Sequence, residues 1–584
     1  MRNSSEIAGA EPGVDSSSNT ASHEYTSHNG RNDLEKTETL PQANDDYQAG
    51  VRKVEATTTA WSKSNLIAAY AIIWFIYFIT SMQEVITRAL NPFVTSAFQR
   101  HSLTAAVSIM SSIIGGLSKL PLAKILDTWG RPQGLALTLF LWVIGFIMMA
   151  ACRNVETYAA AQVFYSVGAQ GVSYCLTIFI ADTSSLLNRP LMLAFATSPY
   201  IVTTWMGGPI TDSIVSGIGW RWGFGIWTIV TPVVVLPLCF LFLFNQRKAV
   251  KAGLIEPQAT KVTLKSAKKY AIQVDLFGIL ILAAGMALFL LPFSLWSYQG
   301  EGWRSPMIIC MIIFGGLLII AFVVWEKFFA PVKFIPYHLL ADRTVFFGGM
   351  MFVFNFCGSA IWGNYFYSML LVVWDTGVTK ATYISNIYRV GSCFSSLILG
   401  YLMRVSGRFK WVGAYYGLPL MMLGVGLLIH FRQAGQDIGY VIMTQVFIAF
   451  AGGPIVVAGE MAMMAPSDHQ HVAVIIAILD LFSSIGSAIG STVSAAIWTG
   501  TFHDALKKNL PADAPVASIY ADINQQMAYP MGSDIRNGIN ESYGQSQRYM
   551  LITSVSLIAG ALACACMWRD IKLKTIKQVR GNVV

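Results

Sequence analysis

Charge is what this sequence has least of. Only 12% of its 584 residues are Asp, Glu, Lys or Arg, against about 25% in an ordinary soluble domain. A soluble globular enzyme of this length would need far more charge to keep its surface in water, so that class is excluded. Cysteine is scarce too. Cys152, Cys175, Cys239, Cys310, Cys357, Cys393, Cys564 and Cys566 fall almost entirely within apolar runs and show no ligand spacing, which argues against a disulfide scaffold and a zinc site. No Walker loop offers a cradle for ATP phosphates, and no Ser/His/Asp set or metal motif points to catalysis. Neither an enzyme, a resident metal nor a cofactor is expected. The net charge of +9 would suit nucleic acid, but no helix-turn-helix, zinc or RNA-binding signature accompanies it. The first 60 residues lack any apolar run that could act as a signal peptide.

What the chain has in abundance is apolar sequence, 54% of it by residue type. A helix needs about 20 apolar residues to cross a hydrocarbon core of roughly 30 Å. Runs of that kind fall near 66–86, 103–125, 134–151, 157–180, 191–215, 223–245, 274–294, 306–326, 344–372, 382–403, 412–431, 439–464, 472–500 and 549–568. The expected fold class is therefore an all-α polytopic membrane protein with 14 transmembrane helices in a lipid bilayer. The segment 1–60 reads as a disordered polar tail, 246–273 as a basic loop and 569–584 as a second tail.

An even number of spans puts both termini on one side. With that side cytosolic, inside segments hold about 27 Lys and Arg and outside loops about 11, as the positive-inside rule requires. The Arg247 to Gln273 stretch alone carries seven bases and one acid, Glu256. The longest outside loop, 501–548, contains Asn540-Glu541-Ser542, a glycosylation acceptor if it faces the lumen or exterior. It also carries Tyr529, Arg536, Tyr543 and Arg548, readable as a gate or as a folded cap. A loop of that length in a compact domain is uncommon unless it has a role.

The chain repeats itself weakly. Asp127-Thr128-Trp129-Gly130-Arg131 follows the second span and Val405-Ser406-Gly407-Arg408 the tenth; Gln162-Val163-Phe164 in the fourth span echoes Gln445-Val446-Phe447 in the twelfth. Offsets of this kind suggest two homologous halves, 61–245 and 344–568, with the spans of 274–343 inserted between them.

These features resemble the major facilitator superfamily in its fourteen-helix form, which implies two six-helix halves plus two inserted helices. The first loop looks like that superfamily's G-x-L-x-D-R-x-G-R-K signature, with Ala123 for Gly and Thr128 for the first Arg. On this reading Asp127, Gly130 and Arg131 form a conformational latch built from a charge-assisted pair. A narrower resemblance, to fungal siderophore-iron transporters, rests on Gln162 to Gly168, Ala181-Asp182-Thr183-Ser184-Ser185-Leu186, Gly219-Trp220-Arg221-Trp222-Gly223, Asp480 to Gly486 and Tyr529-Pro530-Met531-Gly532-Ser533. Drug antiporters of this form usually carry an Arg in the fourth span, where Phe164 stands here.

The resemblance implies a cavity lined by spans 1, 4, 9 and 12. An ionisable group at mid-bilayer costs about 2.5–3.5 kcal/mol on insertion scales and is a functional candidate by default. Glu460, Asp480, Arg389 and Glu84 are the proton-coupling candidates; the other reading is a static pair, Arg389 with Asp480 or Glu460. Lys119 reads as a snorkelling side chain. Tyr77, Tyr165, Tyr174, Asn355, Trp362, Asn364, Tyr365 and Tyr388 are candidate contacts for a bulky ferric hydroxamate, although such aromatics also serve as packing residues. The function implied is proton-coupled import of ferric siderophores by a monomer, at the plasma membrane or an internal vesicle or vacuole. Glutathione or drug antiport is the alternative, and a transporter-like sensor the third.

Overall fold

Helix is the one regular structure whose long apolar segments satisfy their own backbone in lipid, and the described residues are helical without strands. The computed structural model describes residues 61–98, 104–128, 130–185, 187–253, 268, 270–272, 275–296, 299–331, 340–467 and 472–575. The expected tail at 1–60 lies outside them, as do residues 576–584 of the expected tail at 569–584 and most of the basic loop.

The elements are α1 (Lys63–Ala97), α2 (Thr104–Leu117), α3 (Lys119–Thr128), α4 (Arg131–Ala151), α5 (Val155–Thr183), α6 (Arg189–Thr197), α7 (Tyr200–Ser213), α8 (Trp220–Gly225), α9 (Trp227–Lys251), α10 (Leu276–Leu290), α11 (Pro292–Leu295), α12 (Pro306–Val324), α13 (Arg343–Gly363), α14 (Phe366–Val373), α15 (Gly377–Ser406), α16 (Leu418–Phe431), α17 (Ile438–Met464), α18 (Val472–Asn509), α19 (Val516–Ala521), α20 (Ile523–Ala528) and α21 (Asp534–Cys566). Side-chain caps set several starts. Ser62 accepts from the Asn65 N–H, Asn154 from Thr157 and Asp342 from Thr344, each satisfying a donor that the first turn leaves orphaned.

Among the described residues eleven helices are long and apolar enough to cross a membrane, where the sequence offers fourteen apolar runs. The other three expected spans are helical but broken or polar. The second divides at Ser118 into α2 and α3, the fifth into α6 and α7, and the tenth, α15, carries Arg389, Asn386 and several serines. These three sit where the helices before residue 253, the N-terminal set, meet those after residue 340, the C-terminal set: α2 packs on α18, and α15 packs on α6 and α7. A helix enclosed by protein need not be apolar all round, so a lipid-based count passes them over.

The inserted pair, α10 and α12, packs together and leans on α2 and α18. There Ile109, Ile113, Leu117, Ile279, Leu282, Met286, Leu481 and Ala488 make an apolar cluster separate from the main core. Asp275 caps α10 and accepts from the Trp325 indole N–H at 3.0 Å. The Tyr270 hydroxyl donates to the Pro121 carbonyl at 2.8 Å, and the Trp296 indole N–H donates to Thr499 Oγ1 at 3.0 Å.

The segment expected as a loop over 501–548 is mostly helix. α18 runs to Asn509 and α21 starts at Asp534, leaving a compact connection that itself contains α19 and α20. α20 rests against the ends of α1 and α14.

Candidate functional site

α1 passes well beyond its apolar run, reaching Ala97, so Glu84 lies in mid-helix rather than near an end. Its Oε1 accepts from Arg389 Nη2 on α15 at 2.7 Å and from Arg88 Nη2 one turn along α1 at 3.0 Å. The Arg389 guanidinium lies 4.9 Å from the centre of the Tyr200 ring, a distance at which the ring quadrupole attracts a cation. Arg389 Nη1 is buried without an acceptor. The expected static partners of Arg389, Asp480 and Glu460, are replaced by Glu84, because α15 faces α1 and α7 at this level.

Asp480 on α18 is instead paired with Lys119 on α3, Nζ to Oδ2 at 3.1 Å. This corrects the reading of Lys119 as a snorkelling side chain: it is buried, with a carboxylate partner across the seam between the two sets. Glu460 on α17 lies within electrostatic reach of Asp480 and of Tyr77, and no Lys or Arg among the described residues stands within ion-pair distance of it. Gly459 beside it packs against Phe352 and Met351 on α13.

α15 and α17 meet closely at Gly452-Gly453-Pro454. A Cβ at Gly453 would collide with the Ser392 carbonyl, and one at Gly452 with the Tyr388 ring. That approach fixes Tyr388, whose ring lies 5.7 Å from Trp362 in an edge arrangement. Toward one end of α15, Thr379 Oγ1 donates to Asp212 at 3.4 Å and the Tyr383 hydroxyl to the Trp205 carbonyl at 3.1 Å. Toward the other, Gly400 lies against Pro190.

The substrate candidates divide. Tyr77 reaches Ser173 and Thr177 on α5, and Tyr165 reaches Thr87; Tyr165 and Tyr200 both sense the Glu84 charge. Tyr174 is fully buried. Tyr365, at φ +59° in the break between α13 and α14, stacks on Trp498 at 4.2 Å and is a packing residue. Asn355 Oδ1, Trp362 Nε1 and Asn364 Nδ2 are buried without hydrogen-bond partners.

In the connection before α21, Arg536 is spent on the fold. It donates to the carbonyls of Val372, Gln526 and Tyr529 at 2.7–3.0 Å. The Tyr543 hydroxyl donates to Gln526 Oε1 at 2.8 Å, and its ring lies edge-on to Trp498 and Phe502. Of the four residues read as a gate, these two are enclosed cap residues, Tyr529 is half-buried and contributes its carbonyl, and Arg548 is exposed and apart from them. Asn540 is 7% exposed within α21, so the folded chain presents no surface there for a glycan.

The Arg131 guanidinium reaches Asp182 on α5 at 3.1 Å, whereas the Asp127 side chain is outside the described residues. Gly130, at φ +114°, supplies a conformation that favours glycine just before α4. The echo of this loop, Gly407 at φ +67° followed by Arg408, pairs with Asp570 at 2.9 Å.

Sequence reasoning missed Lys119 as a partner, and also Arg88, Tyr200, Asp182 and Arg432. Arg432, just past α16, is wholly buried; it donates to the Trp362 carbonyl at 2.6 Å and lies 4.3 Å from the Phe366 ring. Burial pulls its guanidinium down to about 9. The one signal for Lys119 was a base in span 2 and a lone acid, Asp480, in span 13. Among the described residues no three His, Cys, Asp or Glu side chains gather as they would around a metal ion.

The Major Facilitator Superfamily model matches residues 73–378. An MFS siderochrome iron transporter of Ajellomyces capsulatus is 53% identical over 546 residues, 93% of each chain. One of Aspergillus fumigatus is 41% identical over 93% of this chain and 91% of its own, and a siderophore iron transporter of Emericella nidulans 37% identical over 95% and 92%. Among solved structures, a bacterial homologue of the lysosomal transporter Spinster superposes with a TM-score of 0.52 at 13% identity, covering 87% of this chain and 98% of that one. A bacterial homologue of the iron transporter ferroportin gives 0.51 at 10%, covering 86% and 99%; both speak to the fold alone. With half the chain inside the superfamily model and relatives aligned along nearly its whole length, this multi-pass membrane protein belongs to the fungal siderophore-iron transporter family of the Major Facilitator Superfamily.

Proposed function

We propose that this protein imports ferric siderophores, of the hydroxamate type, by proton symport with alternating access. The observation that carries the coupling is Glu460: a half-buried carboxylate about one turn before the C-terminal end of α17, within electrostatic reach of Asp480, which is itself paired with Lys119. An ionisable side chain inside a span is costly to keep there and is a candidate carrier of the coupled proton. It takes the proton when the seam opens outward and gives it up when the seam opens inward. Tyr77 and Asp480 are the titratable groups within its electrostatic reach.

The names of the relatives support the cargo. Tyr165 and Tyr388 offer aromatic faces, and Asn355, Trp362 and Asn364 offer polar atoms not used by the fold, which suits a bulky chelate with amide and hydroxamate oxygens. The iron is substrate, arriving already wrapped. One proton suffices energetically: about 150 mV contributes ~3.5 kcal/mol and two pH units ~2.7 kcal/mol, enough for roughly 10⁴-fold accumulation of a neutral cargo. We place the protein as a monomer in the plasma membrane with both termini cytosolic.

The test is uptake of radiolabelled ferric trihydroxamate by a siderophore-deficient, iron-starved host expressing the chain. Uptake should collapse with a protonophore, and Glu460→Gln should transport without concentrating. Uptake indifferent to the protonophore would end the symport reading, and failure to rescue growth on any ferric siderophore would end the cargo reading.

A further inference from the structure

The group centred on Glu84 has more positive charge than it needs. Two guanidiniums, Arg88 from α1 and Arg389 from α15, share a single carboxylate, and both donate to the same oxygen, Oε1. Among the described residues Glu84 is the one carboxylate in an ion pair with Arg389, and Tyr200, Tyr165, Tyr388 and Cys393 also surround it. The Arg389 side chain is 15% exposed, and its Nη1 finds no acceptor. A guanidinium in such surroundings gains most from a carboxylate, which meets its planar fork with two charge-assisted hydrogen bonds. The Tyr200 ring covers one face of the guanidinium, which leaves the edge for a ligand. Arg88, with 72% of its side chain open, marks the approach.

A static inter-helix lock would be better served by one arginine and one carboxylate, as at Arg408–Asp570 and Arg569–Asp342. Those pairs are one to one. The Glu84 group departs from that ratio, and it alone does so between α1 and α15, on a seam that a cargo must part.

We infer that Arg389, with Arg88 beside it, is a binding site for a free carboxylate on the cargo, so that the preferred substrate is an acidic ferric siderophore. This rests on the siderophore reading above. Binding in this way also releases Glu84 from Arg389 onto Arg88 alone, which loosens α1 from α15 at the moment the cargo is engaged.

The probes are a ferric linear trihydroxamate with one terminal carboxylate and the methyl ester of the same molecule, which keeps the chelate and removes the charge. The wild-type protein should take up the acid with a KM at least tenfold below that of the ester. Arg389→Gln should bring the two KM values together by weakening the acid, with the ester little changed, and Arg389→Lys should restore part of the preference. Should Arg389→Gln fail to reach the membrane, Arg88→Gln, at an open position, should narrow the ratio, and stabilisation of the purified wild-type protein should be greater with the acid than with the ester. Equal KM values in the wild type, or an undiminished ratio in Arg389→Gln, overturn the carboxylate site and leave siderophore transport standing. Binding of neither probe overturns both.

Discussion

Where α1 meets α15, two arginines share one glutamate; where α3 meets α18, a lysine pairs with Asp480, and a second acid, Glu460 on α17, lies within electrostatic reach of that same aspartate. The two groups bridge the same N-terminal and C-terminal sets with opposite surpluses. A surplus cation is a place for an anion to arrive, and a surplus acid is a place for a proton to arrive. One seam can therefore serve cargo and coupling ion at separate points, without either competing for the other's partner.

The contrast is broken most severely by stranding a charge. Lys119→Met leaves Asp480 unpaired beside Glu460, and removing one member of a buried pair costs about 3–5 kcal/mol. Uptake at equal surface abundance should fall by on the order of a hundredfold, with recovery of at least tenfold in Lys119→Met/Asp480→Asn; a double variant as poor as the single would show that the pair does more than neutralise itself.

A middle-sized effect separates these groups from the cap. Tyr543→Phe leaves Gln526 Oε1 without its donor, at about 1–2 kcal/mol. The melting temperature of the purified protein should drop while the uptake KM holds; a raised KM with unchanged melting would return Tyr543 to the substrate path. The smallest effect belongs to Asn540→Gln, whose electrophoretic mobility in the expressing host should match the parent; a faster band would mean that a glycan is attached before this part of the chain folds.

Much of the fold was legible because lipid imposes a simple rule on α4, α5, α9, α12 and α16: long, apolar and nearly uncharged. The rule weakens where protein replaces lipid as the neighbour, which is why α2 with α3, α6 with α7, and α15 escape a hydropathy criterion although each stands where a span was expected. The candidate charges Glu84, Arg389, Glu460 and Asp480 were legible for the same reason, as exceptions to an apolar background. Their pairing was not. Arg389 finds Glu84 some three hundred residues away in the chain, and nothing in local spacing announces that α15 turns this face to α1. For Tyr365, Arg536 and Tyr543 the sequence left two readings open, since a polar tip on a large side chain looks the same in sequence whether it greets a ligand or a neighbouring carbonyl.

The inserted helices deserve to be considered mechanically. One end of the pair is pinned to the N-terminal set through Tyr270 and Pro121, and the opposite end to the C-terminal set through Trp296 and Thr499, with a smooth aliphatic face between. A brace attached crosswise in this way cannot ride with either set as a passenger. Any rocking of one set past the other must shear one of two hydrogen bonds, each worth about 0.5–1.5 kcal/mol, while the greased face slides at little cost. The pair therefore behaves as a soft spring across the seam, resisting travel in both directions by roughly the thermal scale.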